Sequence, residues 1–162
     1  MIIAGRVLPL MSVSEGRIDA LIPFDVPVNT RQQMIVQRGT TPGIPEFITI
    51  AAAQPVVIDV SGVPAKAGGT ISIRCTGLGV VTPSLIAGSA APSAPVPSAV
   101  NPVKVVIGGI EIDALSAGLV AGSAGIYEVR VTLPVGVATG DQVPLVLRSA
   151  GQSSVPVAIA VR

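Results

Sequence analysis

Apolar and polar residues alternate in short runs along this chain, and Gly, Pro and Ser punctuate the runs. In Thr70-Ile71-Ser72-Ile73-Arg74-Cys75 the apolar side chains fall on every second position, which is the pattern of a strand with one face in a core. The same pattern predicts strands over Ile2–Arg6, Arg17–Ile22, Gln32–Gln37, Glu46–Ala51, Val56–Val60, Thr70–Cys75, Val103–Ile107, Ile110–Ala114, Ile126–Thr132, Val143–Leu147 and Val157–Val161. Short strands at this spacing argue for sandwich sheets. Gly108-Gly109 reads as a tight hairpin turn between two of them, and Ala4-Gly5 is its weaker counterpart near the start.

The alternating runs recur. Ile18–Val26 answers to Val129–Val137 at an offset of 111 (134 − 23), with Pro23 and Pro134 in register. The same offset carries Met34-Ile35-Val36 onto Leu145-Val146-Leu147, and Ile48-Thr49-Ile50 onto Ile159-Ala160-Val161. Upstream, Ile3-Ala4-Gly5 pairs with Ile107-Gly108-Gly109 at an offset of 104 (109 − 5). The later copy has therefore gained seven residues (111 − 104) around Ala117 to Gly125, and an insertion of that kind belongs in a loop. A long-period repeat points to a duplicated supersecondary unit. We read residues 54–162 as one full immunoglobulin-like β-sandwich module, of about seven strands from Val56, and residues 1–53 as a related half-module of four. Four strands with one apolar face must be covered. They are expected to pack on the second module, to pair with a second chain, or to borrow strands from an upstream region, and a two-lobed homodimer is the expectation we favour.

Composition agrees with an all-β class. Gly and Pro make up 33 of 162 residues (18 + 15), which helices tolerate poorly, while 49% hydrophobic residues exclude a chain too polar to bury a core. Ten basic residues balance nine acidic ones without clustering, and Phe24, Phe47 and Tyr127 are the only aromatics, so neither a phosphate-binding stripe nor a stacking platform is present and no nucleic-acid partner is expected. No apolar run is long enough to insert as a membrane helix. The first residues lack a basic n-region and a sustained apolar stretch, so no signal peptide is read here, and export, if it occurs, is expected to be encoded upstream.

Candidate chemistry is sparse. Cys75 is the only cysteine and falls on the core face of its strand, so no internal disulfide forms and a small buried hydrophobe is expected in place of a reactive thiol. The absence of histidine removes Ser-His-Asp triads, Cys-His dyads and imidazole metal sites. Lys66 or Lys104 offers a Ser-Lys arrangement only in principle. Gly77-Leu78-Gly79 imitates the start of a dinucleotide loop, but Thr82 replaces the third glycine and Pro83 blocks the helix that would hold the pyrophosphate. Glu111 and Asp113 share one strand face and could serve calcium or acid-base catalysis, against the plainer reading of a solvated face. No catalytic, cofactor-binding or metal-binding residue is assigned.

Pro23 and Pro134 each close an alternating strand and are read as structural. Thr82 to Pro102, with five prolines, is expected to run extended as a crossover between sheets, the alternative being a flexible linker. Arg17 and Asp19 flank Ile18, and their equivalents Glu128 and Arg130 carry inverted signs; modules packed through these faces would form complementary pairs, the alternative being ordinary outward faces.

Four separated motifs carry a resemblance: Ser14–Pro27, Thr76–Pro83, Ala114–Leu119 and Gly125–Pro134. In this order they resemble an uncharacterised C-terminal domain family found in many copies among large exported proteins of Solibacter-type acidobacteria. The resemblance implies an extracellular or cell-surface location and a segment without assigned activity. Cys75 departs from the family's usual small apolar residue. The expectation is a non-enzymatic structural, adhesion or assembly module without cofactor. The alternative is a glycan- or peptide-binding sandwich that uses the loops Ala117 to Gly125 and Thr82 to Pro102, or an open strand edge.

Overall fold

The computed structural model describes residues 1–162 and is all-β, without a helix. In the first lobe, β1 (Ile2–Ile3), β2 (Arg6–Val7), β3 (Leu10–Ser14), β4 (Arg17–Ala20), β5 (Arg31–Ile35), β6 (Gln37–Arg38), β7 (Thr41–Pro42) and β8 (Glu46–Thr49) follow one another. β2, β1, β5 and β8 form one antiparallel sheet in that order, while β3–β4 and β6–β7 are separate two-stranded ladders. Ile3, Leu8, Val26 and Ile50 form a small core, against which Met1, Ala20, Met34 and Ile48 pack.

The second lobe is built from β9 (Val56–Ser61), β10 (Thr70–Thr76), β11 (Val81–Thr82), β12 (Ser98–Ala99), β13 (Val103–Ile107), β14 (Ile110–Asp113), β15 (Ser116–Leu119), β16 (Tyr127–Thr132), β17 (Gly140–Ser149), β18 (Gln152–Ser153) and β19 (Val157–Val161). One sheet has the order β11-β12-β15-β16-β10-β9; the other has β14-β13-β17-β18, with β19 also paired to β17. Their inner faces share a core of 20 buried residues, against four in the first lobe, so most of the hydrophobic stabilisation resides here. Alternation explains the packing directly: Ile71, Ile73 and Cys75 of β10 and Val129 and Val131 of β16 point inward, and Ser72 and Arg130 point out.

The two lobes pair their strands with the same register. Ile2↔Ile35 and Ile3↔Met34 in the first lobe become Val106↔Val146 and Ile107↔Leu145 in the second, displaced by 104 on one strand (106 − 2) and 111 on the other (146 − 35). Gln32↔Ile48 becomes Val143↔Ile159, Gln37↔Pro42 becomes Arg148↔Ser153, and Val13↔Ile18 becomes Ala117↔Val129. Isolated backbone bonds follow suit: Ala4 N–H donates to Gln33 C=O, and Gly108 N–H to Pro144 C=O. The hairpin joining β3 to β4 needs only Glu15-Gly16, whereas Val120 to Ile126 separate β15 from β16, so the longer connection in the later segment is a loop.

The strand content is richer than the alternation predicts, eight strands in residues 1–53 against four and eleven in the sandwich against seven. The run Ile2–Arg6 is broken by left-handed backbone at Ala4 and Gly5, so it is a hairpin rather than one strand. β3 was missed because Pro9 precedes it and every residue in it is exposed, and β15 because Ser-Ala-Gly-Leu has little β propensity. Thr82 to Pro102 is not a crossover over its length: it leaves β11 and returns as β12 beside it in the same sheet, and only Val100 to Pro102 pass to the other sheet.

Candidate functional site

The lobes meet along a cleft of about 420 Å³ with no charged residue among the 26 that line it. Ile22 and Phe24, just past β4, form one wall, Ile48 and Ile50 another, and Leu85 and Leu119 of the sandwich the third. Phe24 also packs against the large core, which ties the first lobe to the second. Tyr127 is buried beneath the cleft, and its hydroxyl donates to the Gly79 carbonyl. Burial pushes its pKa up to about 12, with a smaller contribution from Cys75, so the phenol is neutral at physiological pH.

The connection between lobes is held by backbone. Gln54 N–H donates to Gly77 C=O at 2.7 Å, and the Asn101 amide donates to the carbonyls of Ala52 at 3.3 Å and Leu78 at 3.2 Å. A Cβ on Gly77 would lie 2.0 Å from the Gln54 carbonyl oxygen, and one on Gly79 would lie 2.2 Å from that of Ala52. Gly77 and Gly79 have φ of 80° and 84°, so the Gly-Leu-Gly segment combines left-handed backbone with room for the linker to approach. That accounts for the motif without any phosphate.

The second feature is an open edge. β16 lies between β15 and β10, whereas its counterpart β4 has β3 on one side and no strand on the other. Leu21 N–H donates to Pro9 C=O, so odd-numbered residues of β4 face β3 and the backbone groups of Ile18 and Ala20 face the open side. The inner face is correspondingly loose. Met34 and Ile18 are half-buried where Leu145 and Val129 are 0% exposed, and Ile22 and Val36 are 43% and 40% exposed where Leu133 and Leu147 are 1% and 0%.

Cys75 sits in the core, and burial pushes its thiol up to about 12, away from thiolate chemistry. Glu111 is an exposed ion-pair partner: its carboxylate meets Lys104 at 2.7 Å and Arg148 at 3.1 Å, and Lys104 reaches Asp113 at 3.9 Å. The Lys104 hydrogen bond above all holds the Glu111 carboxyl below its ordinary range and raises the Lys104 ammonium. No three His, Cys, Asp or Glu side chains gather where they could hold a metal.

Arg17 does not meet Glu128 or Arg130. It binds Asp19 on its own strand at 2.9 Å, while Glu128 stands opposite Arg74 on β10; the lobes are not packed through these faces. The loops singled out by sequence do converge on the cleft, Thr82 to Pro102 contributing Leu85 and Ala117 to Gly125 contributing Gly125, although Ala117 to Leu119 belong to β15 and the loop begins only at Val120. The first-lobe wall escaped notice, since Leu21-Ile22-Pro23-Phe24 carries no polar group and reads as a strand end. Against known proteins, the chain matches no family model, no curated protein and no solved structure.

Proposed function

We propose that this chain is a non-enzymatic assembly module, an immunoglobulin-like sandwich that carries a duplicated but incomplete half-module as its attachment surface. The observation that supports it is the loose inner face of the first lobe, whose positions are closed in the sandwich at the same ladder register. A half-sandwich of this kind gains most by acquiring strands from outside itself. The absence of an activated nucleophile fits the same reading, because the thiol and the phenol are both buried and neutral. Placement on an exported or cell-surface protein, and a part in adhesion, rest on the family resemblance alone. Light scattering of the full chain across a concentration series tests the reading: a mass rising above 16.1 kDa supports it, and a constant monomer mass with no strand-donating partner overturns it.

The uncharged cleft supports a second reading, a site for a small apolar ligand. An environment-sensitive apolar dye should brighten on the wild-type protein and lose that response in Leu85→Arg. An unchanged response in the variant would remove the cleft from consideration.

A further inference from the structure

Two strands of the first lobe, β3 and β4, have an open side where their counterparts lie inside a sheet. β2 and its counterpart β14 both end their sheets, and β8 and β19 each pair with one strand, β19 gaining on its other side only the isolated bridge from Ala65 to Val161. β15, the counterpart of β3, meets β12 at the single pair Ser98↔Gly118, whereas β16, the counterpart of β4, meets β10 over six pairs, so the larger vacancy lies beside β4. The vacancy has a defined shape, because the sandwich shows what fills it: Ala117, Val129, Ile73 and Val60 stand in one inward row across β15, β16, β10 and β9. In the first lobe that row stops after Val13 and Ile18.

We propose that a second copy of this chain completes the row, its β4 pairing antiparallel with β4 about a two-fold axis at Ile18. This deepens the assembly reading and rests on it. The row then runs Val13, Ile18, Ile18 of the second copy, Val13 of the second copy, and the second copy's β3–β4 hairpin stands where β10 and β9 stand in the sandwich. Backbone supply agrees, since a two-fold at Ile18 makes the two Ile18 residues a hydrogen-bonded pair, and Ile18 is a residue whose N–H and C=O face the open side.

Charge selects the register. Antiparallel partners directly opposite point to the same side, so only pairings that set Ile18 against Ile18, Gly16 or Ala20 keep apolar faces together. Setting Ile18 against Gly16 places Arg17 against Arg17, and setting it against Ala20 places Asp19 against Asp19. Setting Ile18 against itself places Arg17 against the second copy's Asp19 and Asp19 against its Arg17, four alternating charges around the axis. In the sandwich the same row reads Glu128, Arg74, Asp59, again alternating. A strand copied from β10 would instead put Arg74 opposite the position of Arg17, which favours a second β4 over a second β10.

Charge exchange tests this on the full chain. Arg17→Asp and Asp19→Arg should each weaken self-association about tenfold or more, because each sets like charges opposite one another. The double variant R17D/D19R should regain the wild-type dissociation constant, and an equimolar mixture of the two single variants should form a heterodimer of dimer mass. Both sites lie on the exposed face, and a thermal midpoint near that of the wild type confirms that each variant is folded. A wild-type dimer indifferent to both substitutions and to their mixture overturns this surface while leaving the assembly reading intact. A wild-type chain that stays monomeric but is stabilised by a peptide of the Thr70–Thr76 sequence overturns the second copy in favour of a foreign strand. A chain that does neither overturns both.

Discussion

Equivalent residues in the two lobes have the same neighbours along the ladder but different cover, which makes them internal controls. Leu145 is wholly enclosed, and Leu145→Ala should cost about 2–5 kcal/mol through lost transfer energy and the cavity left behind. Met34 occupies the same ladder position with solvent on one side, so Met34→Ala should cost about 1 kcal/mol or less in the isolated protomer. Urea unfolding of the two variants at equal protein concentration reads the difference, and equal costs would mean that the first lobe is better covered than its burial indicates. Charge acts at the same scale. The Asp19 carboxyl is held below its ordinary range, first by the Ser12 hydroxyl and then by Arg17, and Glu111 by Lys104 and Arg148. Folded-state pKa values below the unfolded ones mean stability that is complete above the ordinary carboxylate range and lost as pH falls through the folded values. Lys104 has the opposite sign, its contribution being present below its ordinary 10.5 and lost as pH rises through the raised value. Because all these groups are exposed, the effects are small. Glu111→Gln should flatten the acid limb of the stability profile below about pH 5 and leave neutral stability little changed.

At the level of elements, the joint is the sensitive place. Gly77→Ala places a Cβ on the Gln54 carbonyl and holds left-handed backbone with an L side chain, so it should destabilise by more than about 1 kcal/mol. The same substitution at Gly5, which is also left-handed but has open space where the Cβ would go, should cost less. Denaturation midpoints of the two variants separate steric approach from backbone strain. The joint also shows what sequence could convey. The strands Thr70–Cys75, Val103–Ile107 and Val157–Val161 were legible because large apolar residues, mostly β-branched, recur at every second position in them, the period of a strand with one face in a core. β11 and β12 were not, since two-residue pairings set by neighbouring loops leave no periodicity to read. The cleft was half legible: its sandwich loops stood out by length and proline content, but its opposite wall is ordinary apolar sequence that becomes a site only when the linker folds over Gly77 and Gly79.

For the whole molecule, the two lobes differ in how many backbone bonds must break together. The sandwich is laced by a six-pair ladder between β10 and β16 and a five-pair ladder between β13 and β17, whereas β1 is tied to β5 by two pairs and to β2 by two. Cooperative units of such different strength open separately. Under tension this asymmetry becomes a fuse. A chain pulled from its two ends in an optical trap should yield in two steps, the first at low force, releasing the 1–53 segment and lengthening the tether by at most roughly 180 Å. The second should come only when the sandwich gives way, and a single simultaneous rupture would show that the Gly77 clasp binds both lobes into one mechanical unit. A module that gives way in this order absorbs a sudden load at its weaker lobe and keeps its grip through the stronger one.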